Sequence, residues 1–241
     1  MNASAPAADR GLGRRTWPEV GWTGLLIPVG STEQHGPHLP IDTDAVIAEK
    51  SAHRLADRLG DLECLVAPTL AYGSSGEHAG FAGTLSMGTD ALRTVLVELV
   101  RSASSWASWV VFVNGHGGNA SALVSAVSQM RDEGHQVGWV PCAVPHADAH
   151  AGHIETSIML HLAPETVDLS AAERGNCDPI EDLLPSLRTG GVAAVSPSGV
   201  LGDPRNATAS VGASLFELMV EDQERRVRAF SHDRHGMLVR L

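Results

Sequence analysis

Apolar and polar positions divide the chain into two alternating kinds of segment. Short, almost continuous apolar runs, typical of buried parallel strands, fill residues 24–30, 62–68, 109–115 and 136–144. Apolar residues at helical spacing fill residues 42–60, 89–107, 119–134, 150–164 and 209–230. Strands that alternate with helices indicate right-handed crossovers and a mostly parallel sheet covered on both faces. The pattern therefore predicts an α/β fold, a three-layer α/β/α arrangement.

The length of the chain and its irregular segments refine this prediction. A chain of 241 residues with 43% hydrophobic content fits a single domain with a sizeable core, which we place at residues 15–241. Residues 1–14 are rich in Ala, Gly and Arg, and we expect them to form a disordered tail. From Gly175 to the last predicted helix the sequence is rich in Gly, Pro and Ser, so we expect irregular structure there.

Charge and cysteine content exclude several classes of function. The net charge of −11 disfavours a nucleic-acid partner, because phosphate contacts need a basic surface. No apolar run approaches the ~20 residues that span a membrane, and the N-terminal residues lack the apolar core of a signal peptide. Cys64, Cys142 and Cys177 form neither a disulfide framework nor a metal-binding CxxC pair. We therefore expect a cytoplasmic protein.

Polar residues concentrate in the loops that follow the four predicted strands. These loops read GSTEQHGPH, LAYGSSGEHAGFAGT, NGHGGN and PHADAHAGH, and they hold seven of the twelve histidines. In parallel sheets, ligands bind at the carboxyl ends of the strands. We therefore expect all four loops to open on one edge of the sheet and to form the functional site.

The first loop carries three residues that are able to bind metal. Glu33 and His35 are two positions apart, so an extended segment directs both side chains to the same side. Asp44 follows at the start of the first predicted helix. Simple loop polarity would also account for Glu33 and His35, and helix capping would account for Asp44. We interpret His38 as a residue that either supports the metal-binding side chains or is merely structural.

The loop NGHGGN places His116 in a tight turn between a strand and a helix. Gly115, Gly117 and Gly118 let the backbone bend and approach a ligand closely. The alternative is a turn that cradles phosphate at a helix N-terminus. The loop lacks the lysine of a P-loop and the GxGxxG spacing, so this alternative has little support.

The helix predicted over residues 150–164 carries an acidic residue on its apolar stripe. Glu155 lies on the same face as Ala151 and Ile158. A carboxylate on a buried face needs a cation, which is either a metal ion or an arginine. His150 stands at the predicted start of this helix. The helix dipole disfavours a charged imidazole there and suits a neutral base or hydrogen-bond partner.

Together the loops supply two imidazoles and three carboxylates for a metal centre. Glu33, His35, Asp44, His116 and Glu155 are enough to hold two divalent ions bridged by one carboxylate. A mixture of imidazole and carboxylate ligands favours zinc, iron or manganese over calcium. No serine or cysteine is placed as a nucleophile, so the residues alone indicate a metal-dependent amide hydrolase that uses water.

Three separated motifs resemble those of the creatininase family. GSTEQHGPHLPIDTD, NGHGGN and HAGHIETSIML occur in the family's order and approximate spacing over most of the chain. The resemblance implies a creatininase-like amidohydrolase with two divalent metal ions per subunit, usually assembled as a homo-oligomer. It implies that Glu33 and His116 bind one metal, that His35 binds the other, and that Asp44 bridges them.

The chain departs from creatininase itself at one metal-binding position. That enzyme has a glutamate two residues after the third-strand histidine, where this chain has Gly118. The other branches of the family imply that Glu155 supplies the missing carboxylate. They also imply that His150 is the catalytic histidine, so we expect His150 and Glu155 to serve catalysis. The departure counts against creatinine as the substrate.

Further motifs resemble the branch of the family that serves the mycofactocin system. YGSSGEHAGFAGT, HAGHIETS and GGVAAVSPSGVLGDP all match that branch. The resemblance implies a peptidase that cleaves a modified precursor peptide near its C-terminus and releases a Val-Tyr-derived unit. The residues expected to bind the substrate are Ser74, Ser75, Glu77, His78, Gly117, Gly118 and Asn119.

Two alternatives stay open at this point. Another creatininase-type enzyme would hydrolyse a cyclic amide or a formamide, and incubation with creatinine or a formamidopyrimidine would reveal it. A non-catalytic protein would use the pocket at the strand edge to bind a nucleotide or a sugar, and stoichiometric bound metal would argue against it. The GSSGEH segment would then be an ordinary Gly-Ser loop.

Overall fold

One parallel sheet of four strands forms the centre of the protein in a computed structural model that describes residues 10–145 and 147–240. The strands are β1 (Thr23–Val29), β2 (Cys64–Val66), β3 (Ala107–Asn114) and β4 (Val137–Pro141). Their order across the sheet is β2-β1-β3-β4, and each neighbouring pair is parallel. All four strands coincide with predicted apolar runs, although β2 and β4 are shorter than those runs.

Helices cover both faces of this sheet. The helices of the described residues are α1 (Thr43–Arg58), α2 (Thr89–Ala103), α3 (Ala120–Asp132), α4 (His153–Leu162), α5 (Ile180–Gly190), which does not pack on the sheet, and α6 (Ala209–Ala229). Helices α1, α4 and α6 pack together on one face, and α2 packs beside α3 on the other. The arrangement is the predicted three-layer α/β/α fold. No helix of the described residues combines the length and apolar character needed to cross a membrane.

Alternate residues of the strands point to opposite faces and fill two separate cores. Leu25 and Ile27 of β1 belong to the core under α2 and α3. Leu26 lies between them and belongs to the core under α1, α4 and α6. Phe112 and Val111 of β3 divide in the same way. Both faces are therefore buried, which explains why the strands are continuous apolar runs rather than alternating ones.

The strand order creates a crevice between β1 and β3. Helix α1 leaves β1 on one face of the sheet, whereas the helix that leaves β3 lies on the opposite face. The two strands end side by side, with Val29 paired to Asn114. Loops that diverge in this way leave a ligand-binding crevice at the carboxyl ends of the strands. The strand order therefore agrees with the expected position of the site at this edge.

The helix predicted over residues 150–164 starts later than expected. Its first residue is His153, so His150 lies outside the helix, and the argument from the helix dipole at His150 was wrong. Ala151 adopts a left-handed backbone conformation with φ of 52°, which interrupts any helix before it. The carboxylate of Asp148 then accepts hydrogen bonds from the backbone N–H groups of His153 and Ile154, which begin α4.

The expectation of irregular structure after Gly175 was wrong for one stretch. Helix α5 forms there although it contains Pro185, which removes a backbone donor and disguises the helical pattern. Helix α2 also ends at Ala103, earlier than predicted, because the residues from Ala107 onward belong to β3.

The two ends of the chain complete the description. Residues 1–9 of the expected tail lie outside the described residues. Within the described part, Leu12–Arg14 form a 3-10 turn. Gly11 forms an isolated parallel β-bridge with Val66, the last residue of β2. At the other end, β5 (Ser231–His232) and β6 (Leu238–Val239) form a short antiparallel pair. Two-residue strands are too short to show periodicity, so the sequence analysis did not predict them.

Candidate active site

Seven ionisable side chains from all four loops meet at the carboxyl edge of the sheet, and we call them the polar cluster. Its members are Glu33, His35, Asp44, His78, His116, His150 and Glu155. All are buried except Glu155, which is half-buried. Burial of this many charges requires mutual neutralisation or a bound cation.

The loop after β1 delivers the first two members. The Oε2 atom of Glu33 accepts a hydrogen bond from the Ser31 hydroxyl at 2.7 Å. The Nδ1 atom of His35 lies 3.2 Å from the Glu33 carbonyl oxygen and donates to it, which leaves Nε2 facing Asp44 Oδ1 at 3.2 Å. Both side chains therefore point into the site, as their spacing predicted.

Asp44 lies between the two histidines that follow β1 and β3. Its Oδ1 atom faces His35 Nε2, and its Oδ2 atom lies 3.2 Å from His116 Nδ1. Both carboxylate oxygens of Asp44 therefore face imidazole nitrogens, and the N-cap position of α1 belongs to Asp42. The first turn of α1 approaches so closely that a Cβ atom at Gly115 would lie 2.4 Å from the Asp44 carbonyl oxygen. Glycine at 115 therefore lets Asp44 reach His116.

His116 uses its two ring nitrogens in different ways. Its Nε2 atom lies 3.2 Å from the Ser74 carbonyl oxygen, to which it donates, and 3.4 Å from Glu77 Oε1. Its Nδ1 atom lies 3.2 Å from Glu33 Oε2 as well as from Asp44. A carboxylate or carbonyl that holds the far nitrogen of a histidine fixes its tautomer, which is the arrangement that metal-binding histidines show.

Gly118 provides the space that Glu77 occupies. A Cβ atom at Gly118 would lie 2.5 Å from Glu77 Oε1, 2.4 Å from His116 Nε2 and 2.4 Å from the Ser74 carbonyl oxygen. A side chain at position 118 would therefore displace Glu77 from His116. Although burial opposes it, the hydrogen bond from His116 holds the pKa of Glu77 below its usual value, so this carboxylate is charged.

His150 is held by the backbone and by its neighbours instead of by a helix. Its Nε2 atom donates a hydrogen bond of 2.8 Å to the Gln34 carbonyl oxygen, which leaves Nδ1 unprotonated and 3.8 Å from Glu33 Oε1. The backbone of His150 pairs with Leu201. Burial, and then the neighbouring imidazoles of His35 and His78, lower the pKa of His150 well below its usual value. His150 is therefore a neutral proton acceptor.

Two further residues hold the site together: Gln34, which the sequence analysis missed, and His78, which it expected only as a substrate-binding residue. The Nε2 atom of Gln34 donates to His78 Nδ1 at 2.9 Å and to the Gly199 carbonyl oxygen at 3.1 Å. His78 consequently carries its proton on Nε2, which lies 3.2 Å from Glu33 Oε1. The imidazole rings of His78 and His150 are in contact, with centroids 4.5 Å apart and planes tilted by 50°. His78 thus belongs to the polar cluster itself, and no spacing in the sequence singled out Gln34.

Glu155 reaches the cluster from the first turn of α4. Its Oε2 atom accepts a hydrogen bond of 2.6 Å from the backbone N–H of Ala151. No arginine of the described residues pairs with it, so the alternative of an arginine ion pair has no support. Burial raises the pKa of Glu155 to about 7; the positive charge of His35 opposes this rise and the negative charge of Asp44 adds to it.

The donor atoms of the cluster fit divalent metal ions. Three groups of three donors have all their atoms within 4.8 Å of one another: Glu33, Asp44 and His116; His35, Asp44 and Glu155; and Glu33, His35 and His150. The Glu33 Oε1 and Asp44 Oδ2 atoms are buried and accept no hydrogen bond. Burial opposes a charged His35, yet the carboxylates of Asp44, Glu155 and Glu33 raise its pKa to about 9. Imidazole nitrogens and carboxylate oxygens are the donor types that bind zinc, iron and manganese, so these groups are candidate metal ligands.

A cavity of about 690 Å³ opens above the polar cluster. The cluster residues Asp44, His116, His150 and Glu155 line it, together with Glu77 and His78. Gly115, Gly117, Gly118 and Ser121 form one side, and apolar residues of α5 form another. A cavity of this size suits a peptide segment or a small organic substrate.

Three of the residues expected to bind substrate do not line this cavity. The Asn119 side chain donates to the Gly30 carbonyl oxygen at 3.0 Å and accepts from the Ser74 backbone at 2.8 Å, so it braces the loops from behind. The Ser74 hydroxyl bonds Thr89 at 2.9 Å, and the Ser75 hydroxyl is buried. Of the expected set, Glu77, His78, Gly117 and Gly118 face the cavity.

Comparisons with known proteins agree with this geometry. The creatininase family profile, described as creatinine amidohydrolase, matches residues 14–227. The mycofactocin precursor peptide peptidase of Mycolicibacterium smegmatis is 54% identical over 217 residues, which cover 89% of this chain and 88% of the relative.

Solved structures of the family superpose on the fold. The structure named "Creatininase Mn" has a TM-score of 0.75 at 25% identity, covering 92% of this chain and 98% of that chain. A mutant creatininase of Zn-Zn type has the same TM-score and coverage at 26% identity. The fold, the crevice at the carboxyl edge and the match to the family profile lead to one conclusion: the chain belongs to the creatininase family.

Proposed function

We propose that the protein is a metal-dependent peptidase that cleaves the modified mycofactocin precursor peptide near its C-terminus and releases a Val-Tyr-derived unit. The observation that carries this proposal is the 54% identity, over 89% of the chain, to a relative named for that activity. Gly118 stands where creatininase has a glutamate, which argues against creatinine as the substrate. The protein is a hydrolase of amide C–N bonds in either case.

The polar cluster supplies the ligands for two divalent ions in this proposal. Glu33, Asp44 and His116 would hold one ion, and His35, Asp44 and Glu155 the other, so that Asp44 is shared. Zinc, iron and manganese suit these donors. When bound, such ions lower the pKa of water and polarise the carbonyl oxygen of the scissile amide.

His150 moves the proton in the proposed reaction. Its Nδ1 atom is unprotonated because Nε2 donates to the Gln34 carbonyl oxygen, so it accepts a proton from the attacking water. The imidazolium then donates that proton to the leaving amine nitrogen. Gln34 keeps the ring in this orientation, and the ring of His35, tilted by 40° with its centroid 4.3 Å away, restricts its rotation. The Ala151 N–H holds the Glu155 carboxylate, which lies near His35 and Asp44.

We also propose that the enzyme is a cytoplasmic homo-oligomer whose partner is the precursor peptide and that it binds no nucleic acid or membrane. The net charge of −11 supports the absence of a nucleic-acid partner. Oligomerisation rests on the resemblance to other family members. Sedimentation equilibrium tests it, and a single species of about the chain mass of 25.3 kDa would contradict it.

The experiment that tests the function combines chelation with product analysis. We expect the metal-loaded protein to cleave the modified precursor, chelation to abolish cleavage, and zinc, iron(II) or manganese(II) to restore it, because the carboxylates of the cluster need a cation. Mass spectrometry identifies the products from modified and unmodified precursor. Turnover of creatinine or a formamide without precursor cleavage would assign the protein to another branch, and full activity without metal would contradict the proposed mechanism.

Substitution of Glu77 tests how His116 is oriented. We expect Glu77→Gln to weaken metal binding about 10–100-fold, because loss of its charge removes the polarisation of the His116 Nε2–H. Competition with a chromogenic chelator measures the affinity without relying on turnover. Glu165→Gln is the control, because Glu165 is an exposed carboxylate in the 3-10 turn Pro164–Thr166, distant in sequence from Glu77. Equal metal affinity in the Glu77 variant and wild type would show that Glu77 contacts only substrate.

A further inference from the structure

Helix α5 presents an unusual apolar face to the active-site cavity. Ile180, Leu184 and Leu187 are spaced at i, i+4 and i+7, so they lie on one side of the helix, and all three line the cavity. Ile180 is 36% exposed and Leu184 is 38% exposed. Large aliphatic side chains that face a cavity opposite a cluster of charges leave apolar surface in water, which a ligand would cover.

The loop next to the polar cluster holds this helix in place. The backbone at Gly191, just after α5, has φ of 68° and passes so close to the loop that a Cβ atom there would lie 2.5 Å from the Glu77 carbonyl oxygen. Val192 follows, is 2% exposed, and also lines the cavity. The end of α5 is therefore packed directly against the loop that carries Glu77 and His78.

One stretch of the cavity lining carries almost no side-chain bulk. Gly115, Gly117, Gly118 and Ser121 line it, so a ligand can lie flat against this backbone. Three kinds of surface therefore line the cavity: the charged side chains of the polar cluster, the small residues of this stretch, and the apolar face of α5. A substrate with one reacting amide and one bulky apolar group beside it would match all three surfaces.

We propose that the apolar face of α5 is the subsite that binds the apolar or aromatic side chains of the unit released from the C-terminal side of the scissile bond. This inference rests on the proposed peptidase function and names what recognises its leaving group. Leu184 lies in the middle of the face and determines which side chains are accepted. The polar cluster positions the scissile amide. The polar cluster itself has no apolar surface that could select such a unit.

Direct binding measurements test this subsite without depending on turnover. Isothermal titration of the metal-loaded protein with the small C-terminal product is compared with titration of the remaining peptide. For Leu184→Ala we expect the Kd of the small product to rise about tenfold, since the substitution removes apolar surface that the ligand covers. The Kd of the remaining peptide should stay within twofold. In cleavage assays the KM of this variant should rise by a similar factor, while its kcat should stay within twofold of the wild-type value.

Matched variants separate this subsite from other roles of α5. Leu218→Ala removes an aliphatic side chain that is 50% exposed on α6 and does not line the cavity, so it should leave both Kd values unchanged. Arg188→Gln removes the charge that lines the cavity one turn after Leu184. A larger loss of product binding in Arg188→Gln than in Leu184→Ala would show ionic recognition and overturn the proposal.

Two further outcomes would also overturn the inference. If Leu184→Ala weakens binding of the remaining peptide and not binding of the small product, α5 binds the other side of the scissile bond. If Leu184→Ala changes the sedimentation of the protein while both Kd values hold, a second copy of the chain covers this face. Failure of wild type to cleave the precursor would count against the proposed function, whereas unaltered product binding in Leu184→Ala would count against this subsite alone.

Discussion

Asp44→Asn is expected to remove bound metal from both positions of the proposed centre and to lower kcat/KM for precursor cleavage by about 10³-fold. Asp44 is the one carboxylate that belongs both to the group with Glu33 and His116 and to the group with His35 and Glu155. The amide keeps the shape of the side chain but removes its charge. It also turns an NH₂ group toward one of the two imidazole nitrogens that now lie 3.2 Å from a carboxylate oxygen.

Metal content by plasma mass spectrometry, measured beside the kinetics, checks this prediction. Asp42→Asn is the matched control, because Asp42 is an exposed aspartate two positions earlier that makes no side-chain capping bond. It should keep both metals and full activity. An Asp44→Asn protein that retained two ions per chain would show that Asp44 does not bridge them, and the assignment of ligands would have to change.

The residues nearest the strand ends were predictable because two local rules place them. Glu33 and His35 follow β1 directly, and period-2 spacing puts them on one side of an extended loop. His116 follows β3, and the strand order sends both loops to the same crevice. Neither rule needs long-range information, since apolar runs reveal the strands and parallel pairing aligns their ends.

The orientation of the remaining site residues depends on contacts between distant segments, which the sequence does not show. His150 is placed by pairing with Leu201 and by the left-handed turn at Ala151, and neither leaves a pattern in the surrounding residues. Asn119 faces away from the cavity because the Gly30 carbonyl oxygen, far along the chain, accepts its hydrogen bond. Glu77 approaches His116 only because Gly118 leaves room for it.

His150→Ala is expected to lower kcat about 10²–10⁴-fold while both metals stay bound, since we assign His150 to proton transfer. Its Nε2 atom is committed to the Gln34 carbonyl oxygen, and its buried, neutral ring leaves Nδ1 free to accept a proton. The competing interpretation is that Nδ1 is a metal ligand, because His150 also forms a group of close donors with Glu33 and His35.

Metal content separates these two roles of His150 where activity alone does not. A ligand role predicts that His150→Ala loses an ion in proportion to its lost activity, whereas a proton-transfer role predicts full metal content in an almost inactive protein. His153→Ala, three residues later at the start of α4 and outside the polar cluster, should retain both metals and most activity. The Nδ1 atom lies 3.8 Å from Glu33 Oε1, farther than the 3.2 Å between Glu33 Oε2 and His116 Nδ1. This longer separation favours the proposed role of His150 in proton transfer over a role as a metal ligand.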